Sequence, residues 1–267
     1  MKEYFFHSRG IYFKSNDFNP DKQTLVFVHG LSGSSSAWLK YENRFKQKYN
    51  ILTMDLRGHG KSLKPKSYQE YEMDQFVHDL FLLTQSLQLR KFVLIGHSFG
   101  SLVVLAYLAR YQDTVAAAVL LSPHFDVGRM RSARIIKTLL CVSSILKIFP
   151  FPKVRGHVDY ERHKNTGDWN IRRMISDVRN TGLRVYLYCT KQSYQFDGEH
   201  ILDKVHIPVL IMHGRRDTIF PVETAFVIAN RIRGSRLIVL DDTNHIMVLN
   251  NEEELSDAIE NFVQSWK

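Results

Sequence analysis

The chain has 267 residues, of which 44% are hydrophobic and 24% are charged, and its formal net charge at pH 7 is +9. This composition is typical of a globular protein, and the length fits one domain with an insertion better than two domains. No uncharged apolar stretch is long enough to span a membrane, and the N-terminus lacks the apolar core of a secretory signal. We therefore expect a cytoplasmic protein whose only cysteines, Cys141 and Cys189, stay unpaired.

Predicted strands and helices alternate along most of the chain. Short aromatic and β-branched runs at 4–7 and 11–14 predict an edge hairpin. Continuous apolar runs predict buried strands over 25–29, 51–54, 91–95, 116–121, 209–212 and 237–240. Apolar residues at helical spacing predict helices over 36–48, 73–87, 101–111, 223–233 and 252–266. The alternation predicts an α/β fold with a mostly parallel central sheet, which is flanked by helices and joined by right-handed crossovers.

The alternation stops at Pro123 and resumes at Pro208, which divides the chain into a core domain and an insertion. We expect residues 1–123 and 205–267 to form the core. Residues 124–204, with helical patterns at 130–148 and 168–180, are expected to form a cap over the ligand-binding edge of the sheet. The cap contains 15 Lys and Arg against 8 Asp and Glu, a balance of +7, whereas the rest of the chain has only +2.

The charge of the predicted cap has two interpretations. It is either a solvated basic surface or a surface that attracts an anionic partner, such as an acyl carrier or a lipid surface. The candidate contacts are Arg129, Arg131, Arg134, Arg172 and Arg173. The apolar segment Ile135–Phe151 is either a cap helix packed on the core domain or part of an acyl pocket or lipid-contacting surface. Nucleic-acid binding has no support beyond the charge, because no zinc-finger spacing, phosphate-binding loop or repeat is present.

The segment Gly96-His97-Ser98-Phe99-Gly100 is the strongest functional signal. It follows a predicted strand and precedes a predicted helix, which is the setting that a nucleophile elbow requires. On such a sharp turn the serine hydroxyl stands exposed above the sheet, and glycine at both ends of the motif relieves crowding of the backbone. Ser98 is therefore the candidate nucleophile. Haloalkane dehalogenases and epoxide hydrolases need a carboxylate at this position instead.

A serine hydroxyl needs a base to take its proton, and that base is usually a histidine oriented by a carboxylate. In this architecture the acid and then the histidine follow the serine along the chain. Asp217 follows the predicted strand 209–212, and His245 follows the strand 237–240. Asp126 is a rival acid, as are Asp241 and Asp242, although the last two share a loop with His245. The remaining histidines near these motifs, which we interpret as structural or exposed, are His59, His97, His124 and His213.

The chain resembles the α/β-hydrolase superfamily over almost its whole length, and within it the esterases and lipase-like enzymes with a single inserted cap. The matching motifs are His29-Gly30, DLRGHGKS at 55–62, GHSFG at 96–100, HGRRDTIFP at 213–221 and NHIMVLN at 244–250. The resemblance implies Ser98 as nucleophile, Asp217 as acid and His245 as base. It also implies an oxyanion hole formed by the backbone N–H groups of Leu31 and Phe99, which would stabilise negative charge on a carbonyl oxygen.

These features predict a serine-dependent hydrolase of small carboxylic esters with short to medium acyl chains, which acts through an acyl-enzyme intermediate. No cofactor and no metal are implied. The alternatives that keep the same residues are a hydrolase of esters or thioesters on an acyl carrier protein, a lactonase and a carbon–carbon bond hydrolase. A non-enzymatic alternative is a ligand sensor on the same fold.

Overall fold

A computed structural model describes residues 1–129 and 156–265 of the chain. The strands are β1 (Lys2–Phe6), β2 (Ile11–Ser15), β3 (Thr24–Val28), β4 (Asn50–Met54), β5 (Phe92–His97), β6 (Val115–Leu121), β7 (Val209–Gly214) and β8 (Arg236–Leu240). They form one eight-stranded sheet in the order β1-β2-β4-β3-β5-β6-β7-β8. β2 is antiparallel to β1 and to β4, and all other neighbours are parallel.

Helices cover both faces of this sheet. The α-helices of the described residues are α1 (Leu39–Phe45), α2 (Met73–Ser86), α3 (Phe99–Tyr111), α4 (Ile171–Thr181), α5 (Leu183–Gln195), α6 (Glu199–Leu202), α7 (Glu223–Arg231), α8 (Met247–Asn250) and α9 (Glu252–Gln264). Short 3-10 turns include Ser35–Trp38 and Tyr160–His163. The predicted α/β fold, with a mostly parallel sheet flanked by helices, is confirmed. None of the helices in these two ranges combines the length and the apolar character needed to cross a membrane.

Two apolar cores lie on opposite faces of the sheet. One contains Phe76 of α2 and Leu102 of α3, and the other contains Phe45 of α1 and Phe262 of α9. Strands β3 to β6 are buried on both faces, which explains why their sequences are continuous apolar runs. Each fully buried Leu or Phe side chain contributes about 1.5–3 kcal/mol of transfer free energy, so these cores fix the position of the strand ends.

The described part of the predicted cap is helical. The predicted helix at 168–180 corresponds to α4, which begins only at Ile171 because the side chain of Asn170 accepts the N–H of Arg173 at 2.9 Å and caps the helix. α5 was not predicted; it follows Gly182, whose φ of +91° favours glycine. Cys189 in α5 is buried and unpaired. The predictions made for 130–148, Ile135–Phe151, Cys141, Arg131 and Arg134 lie outside the described residues.

The predicted helix at 36–48 was too long. The chain instead forms the 3-10 turn Ser35–Trp38 and then the shorter helix α1. After α1, the C=O of Phe45 accepts the N–H groups of both Lys48 and Tyr49, and the chain then enters β4. The spacing of apolar residues could not show that α1 ends at Phe45, because Tyr49, beyond that end, is also buried.

Candidate active site

Ser98 stands on a strained turn between β5 and α3. Its φ is +53° and its ψ is −117°, a combination that is costly for a residue with a side chain. Glycine is required on both sides, since a Cβ on Gly96 would lie 2.6 Å from the carbonyl oxygen of Gly100, and a Cβ on Gly100 would lie 2.4 Å from that of Val28. The sequence therefore folds here into the tight strand–turn–helix that presents the Ser98 side chain at the edge of the sheet.

Three side chains meet above the carboxyl ends of β5, β7 and β8. The hydroxyl of Ser98 lies 2.9 Å from Nε2 of His245, and Nδ1 of His245 lies 2.7 Å from Oδ2 of Asp217. In the consistent tautomer, Nδ1–H donates to Asp217 and Nε2 accepts from Ser98. The three residues are 4–8% exposed, so water screens these hydrogen bonds only weakly. The structure thus brings together the nucleophile, base and acid that the sequence suggests.

Asp217 is prepared to remain a carboxylate. Its Oδ1 accepts the backbone N–H groups of Ile219 and Phe220, at 2.9 and 2.8 Å. Burial alone would raise the pKa of Asp217, but the hydrogen bond and charge of His245 and the N–H of Phe220 keep it below its usual value. A carboxylate at this position would stabilise positive charge on the imidazole of His245.

The rival carboxylates lie elsewhere. Asp241 and Asp242 are largely exposed and pair at 2.6 Å with Arg215 and Arg216, respectively. The backbone N–H of Asp126 donates to Nδ1 of His124 at 2.9 Å. The carboxylate that contacts Nδ1 of His245 is that of Asp217, not that of Asp126.

Of the other histidines, His213 lies 3.4 Å from Asp217, and burial lowers its pKa. His97 lines the cavity beside Ser98, and its Nε2 lies 2.9 Å from the carbonyl oxygen of His245. Burial lowers the pKa of His97 to about 3, so His97 is neutral and donates this hydrogen bond to the backbone of His245.

The turn after β3 lies against Ser98. A Cβ on Gly30 would lie 3.0 Å from Nδ1 of His97, so this glycine allows the close approach of the turn to the segment that carries Ser98. The N–H groups of Leu31 and Phe99 have no acceptor among the described residues. Phe99 opens α3, so its N–H has no partner within the helix. Both candidate oxyanion donors are therefore available for a ligand.

His29 fixes this turn. Its Nδ1 donates to the carbonyl oxygen of Gly30 at 2.8 Å, and its Nε2 accepts the N–H of Leu56 at 3.0 Å. Burial lowers the pKa of His29 to about 4, which keeps the ring in this neutral form. The motif His29-Gly30 marks this residue in the sequence, but its contact with Leu56 across 27 residues has no signal in the sequence pattern.

A cavity of about 470 Å³ opens above Ser98 and His245. Its walls are mostly apolar and include core residues such as Phe99 and Leu102, together with Tyr186 and Leu187 of α5 in the predicted cap. This volume lies at the lower end of the range for small-molecule sites. Within residues 1–129 and 156–265, no group of three His, Cys, Asp or Glu side chains is placed to hold a metal ion.

The arginines proposed to contact an anionic partner lie in different environments. Arg172 is exposed. Arg173 lines the cavity, and its guanidinium donates to Asp177 at 3.2 Å and to the carbonyl oxygen of Asp168 at 2.6 Å. The side chain of Arg129 is outside the described set, as are Arg131 and Arg134. Recruitment of an anionic carrier or lipid surface by this region stays a prediction.

Comparison with known proteins agrees with the fold. A family model described as alpha/beta hydrolase fold matches residues 23–252. A putative non-heme chloroperoxidase of Synechocystis is 27% identical, with 91% of each chain covered. The probable lysophospholipase BODYGUARD 1 of Arabidopsis thaliana is 22% identical over 91% of this chain, which spans only 59% of that protein. The solved structure of an esterase from Exiguobacterium antarcticum superposes with a TM-score of 0.73 at 23% identity, covering 96% of each chain.

Proposed function

Since the chain belongs to the α/β-hydrolase family, we propose that it is a serine-dependent hydrolase of carboxylic esters. One observation carries the proposal: a continuous line of hydrogen bonds runs from Ser98 through His245 to Asp217 at the base of a cavity. Neutral His245 can take the proton of the hydroxyl, and the carboxylate of Asp217 stabilises the charge that results. The hydroxyl of Ser98 thereby becomes a nucleophile.

In the first half-reaction, Oγ of Ser98 attacks the ester carbonyl carbon while its proton moves to Nε2 of His245. The carbonyl oxygen becomes an oxyanion, which the N–H groups of Leu31 and Phe99 stabilise as the charge develops. The intermediate collapses, the bond to the alcohol oxygen breaks, and His245 gives its proton to the leaving alcohol. An acyl group remains on Ser98.

In the second half-reaction, a water molecule gives a proton to His245 and attacks the acyl carbon. The same N–H groups stabilise the second oxyanion. The bond to Ser98 then breaks, the carboxylic acid leaves, and the proton on His245 returns to Ser98. Both half-reactions balance with the ester, one water molecule and the groups of this chain already named.

The cavity favours short to medium acyl or alcohol groups. Its volume of about 470 Å³ accommodates a small molecule. Its wall is largely apolar, so burial of a hydrocarbon group there is favourable, whereas burial of a charged group is not. Thioesters, lactones and carbon–carbon bonds next to a carbonyl would use the same nucleophile. Hydrolysis rates measured on an ester, a thioester, a lactone and a ketone of similar size would show which bond the site cleaves fastest. A ligand sensor would instead bind a small molecule without turnover.

The test is covalent labelling followed by turnover. A fluorophosphonate should label the wild-type chain at one site, the Ser98→Ala chain should remain unlabelled, and p-nitrophenyl esters of graded chain length should be hydrolysed. Ser193→Ala is the matched control, because Ser193 lines the same cavity but donates to the carbonyl oxygen of Cys189 at 3.1 Å. Undiminished labelling of Ser98→Ala, or an absence of turnover on every ester, would contradict the proposal.

A further inference from the structure

A carboxylate from the predicted cap lies between two loops of the candidate active site. Asp168 is 5% exposed and precedes α4. Its Oδ1 accepts the backbone N–H of His245 at 2.8 Å. Its Oδ2 accepts both the backbone N–H and the hydroxyl of Thr218, at 2.8 and 2.7 Å. One side chain therefore joins the loop after β7 to the loop after β8.

These contacts reach the backbone of the residues that the proposed mechanism uses. Thr218 directly follows Asp217, and His245 is the proposed base itself. The side chain of His245 is oriented by Asp217 through Nδ1, whereas its backbone is held by Asp168. A carboxylate is a strong acceptor for N–H groups, and such charge-assisted hydrogen bonds are about twice as strong as neutral ones. Asp168 therefore adds a second bridge between the two loops, which also contact each other directly where the N–H of Arg216 donates to the carbonyl oxygen of Thr243 at 2.9 Å.

Asp168 is itself held in place. Its carbonyl oxygen accepts from the guanidinium of Arg173 at 2.6 Å. The indole N–H of its neighbour Trp169 donates to the hydroxyl of Thr218 at 3.0 Å. Trp169 thus gives the segment a further contact with the loop after β7, and within the described part of the chain the carboxylate of Asp168 is the group of this segment that hydrogen-bonds to both loops.

A nearby anchor offers a comparison. The side-chain amides of Asn244 and Asn250 donate to the carbonyl oxygen of Thr166, at 3.0 and 2.9 Å. The Asn250 side chain attaches the same segment to α8 and also donates to Oδ1 of Asn244 at 3.1 Å, but it touches neither the backbone of His245 nor the residue after Asp217. It separates general attachment of the segment from orientation of the catalytic groups.

We propose that Asp168 is a positioning residue, which orients Asp217 and His245 through the backbone of the loops that carry them. The proposal rests on the proposed function, because it assigns Asp168 a role in the activity of Ser98. Trp169 and Arg173, which flank or hold Asp168, also line the cavity. The cavity wall is consequently linked to the loops that carry the acid and the base through the carboxylate of Asp168 and the indole of Trp169.

The first test is Asp168→Asn. The single oxygen of an amide can accept from only one of the two loops, and its NH₂ group then faces an N–H donor of the other. We expect kcat for p-nitrophenyl acetate to fall about 10- to 100-fold with KM changed less than about twofold, since the loss of one charge-assisted hydrogen bond is of that order. The rate of fluorophosphonate labelling should fall by a similar factor. Asn250→Ala should lower kcat by less than about threefold.

A spectroscopic readout separates positioning from general stability. The Nδ1 proton of His245, shared with Asp217, gives a strongly downfield proton NMR signal when that hydrogen bond is ordered. We expect this signal to shift or broaden in Asp168→Asn and to persist in Asn250→Ala. Asp168→Ala adds a rescue experiment, because formate should occupy the vacated carboxylate position and raise kcat. Formate should not stimulate the wild type or Asn250→Ala.

The outcomes distinguish this inference from the proposed function. If the wild type is not labelled by the fluorophosphonate, the proposed function fails. If the wild type and Asp168→Asn are labelled at equal rates, only the positioning role fails. The role is also overturned if Asn250→Ala loses as much kcat as Asp168→Asn, or if formate leaves folded Asp168→Ala unchanged. Loss of the folded state in both Asp168 variants would assign the residue a structural role instead.

Discussion

Nε2 of His59 accepts the backbone N–H of Ser32 at 3.2 Å and holds the turn that carries the candidate oxyanion donor Leu31. The other ring nitrogen, Nδ1, donates to the carbonyl oxygen of Arg57 at 2.9 Å. Burial lowers the pKa of His59 well below its usual value, so only this neutral tautomer is present. Ser32 has a φ of +56°, an uncommon conformation that surrounding contacts must maintain.

Replacement of His59 should therefore impair the oxyanion hole. In His59→Ala the backbone N–H of Ser32 loses its acceptor. The neighbouring N–H of Leu31 is then free to move away from the carbonyl oxygen of the bound ester. We expect kcat for a short ester to fall about tenfold or more, because full removal of an oxyanion donor costs about 10²- to 10³-fold. His78→Ala is the control, because His78 is an exposed histidine on α2. An unchanged kcat in folded His59→Ala would show that the turn is ordered without this ring.

Asp217→Asn should retain the fold and lose about 10⁴-fold in kcat, because the amide favours the wrong tautomer of the base. Asp126→Asn is the matched control, since Asp126 is similarly buried but is not the carboxylate that lies 2.7 Å from Nδ1 of His245. Steady-state kinetics and circular dichroism of both variants check this prediction. A crippled Asp126→Asn beside an active Asp217→Asn would mean that the acid is misassigned.

The rate should rise with pH, because only neutral His245 can accept the proton of Ser98. The nearby buried histidines should not add a second step. Burial lowers the pKa of His97 to about 3 and those of His29 and His124 to about 4. A plot of log kcat/KM against pH should therefore have a limiting slope of about 1 on its acid side. A slope near 2 would indicate that one of these rings also titrates in the working range.

Asp55 should make stability fall in acid. Its carboxylate accepts the N–H groups of Ser35 and Lys61, at 2.7 and 2.8 Å, and lies 2.8 Å from Nε2 of His157. Burial alone would raise the pKa of Asp55, but the hydrogen bond and charge of His157 outweigh burial and lower the pKa to about 2. Because the folded pKa lies below the unfolded value of about 3.9, the stabilisation is complete above that value and disappears as pH falls through about 2.

We therefore expect the difference in unfolding free energy between the wild type and Asp55→Asn to shrink as the pH is lowered from neutral toward 2. The part of that difference that depends on pH is about 2–3 kcal/mol, from the two pKa values. Urea unfolding at a series of pH values measures it. Asp17→Asn is the control, because the side chain of Asp17 is 80% exposed and pairs with Lys2 on the surface. A difference that does not vary with pH would contradict the role assigned to the Asp55 charge.

Part of the candidate site could be predicted because it depends on local sequence. The strand, turn and helix around Ser98 lie within one short stretch, and the glycines of that stretch are needed by the turn itself. Asp217 was less certain, since Asp126 occupied another possible acid position. The structure places Asp217, at 2.7 Å, on Nδ1 of His245. That distance depends on how β7 and β8 align in the sheet, which apolar patterns do not specify.

The sequence by itself determined the fold class, since alternating apolar periodicities can be satisfied only by burying strands between layers of helices. It also determined Ser98 as the candidate nucleophile, because steric crowding at a sharp turn dictates the flanking glycines. The tertiary structure alone decided the contact between Asp168 and His245, which are 77 residues apart, and the contact of His59 with Ser32 in the turn after β3. Hydrogen bonds between loops depend on the path of the chain in space, and an isolated carboxylate or imidazole has no periodicity that would reveal its partner.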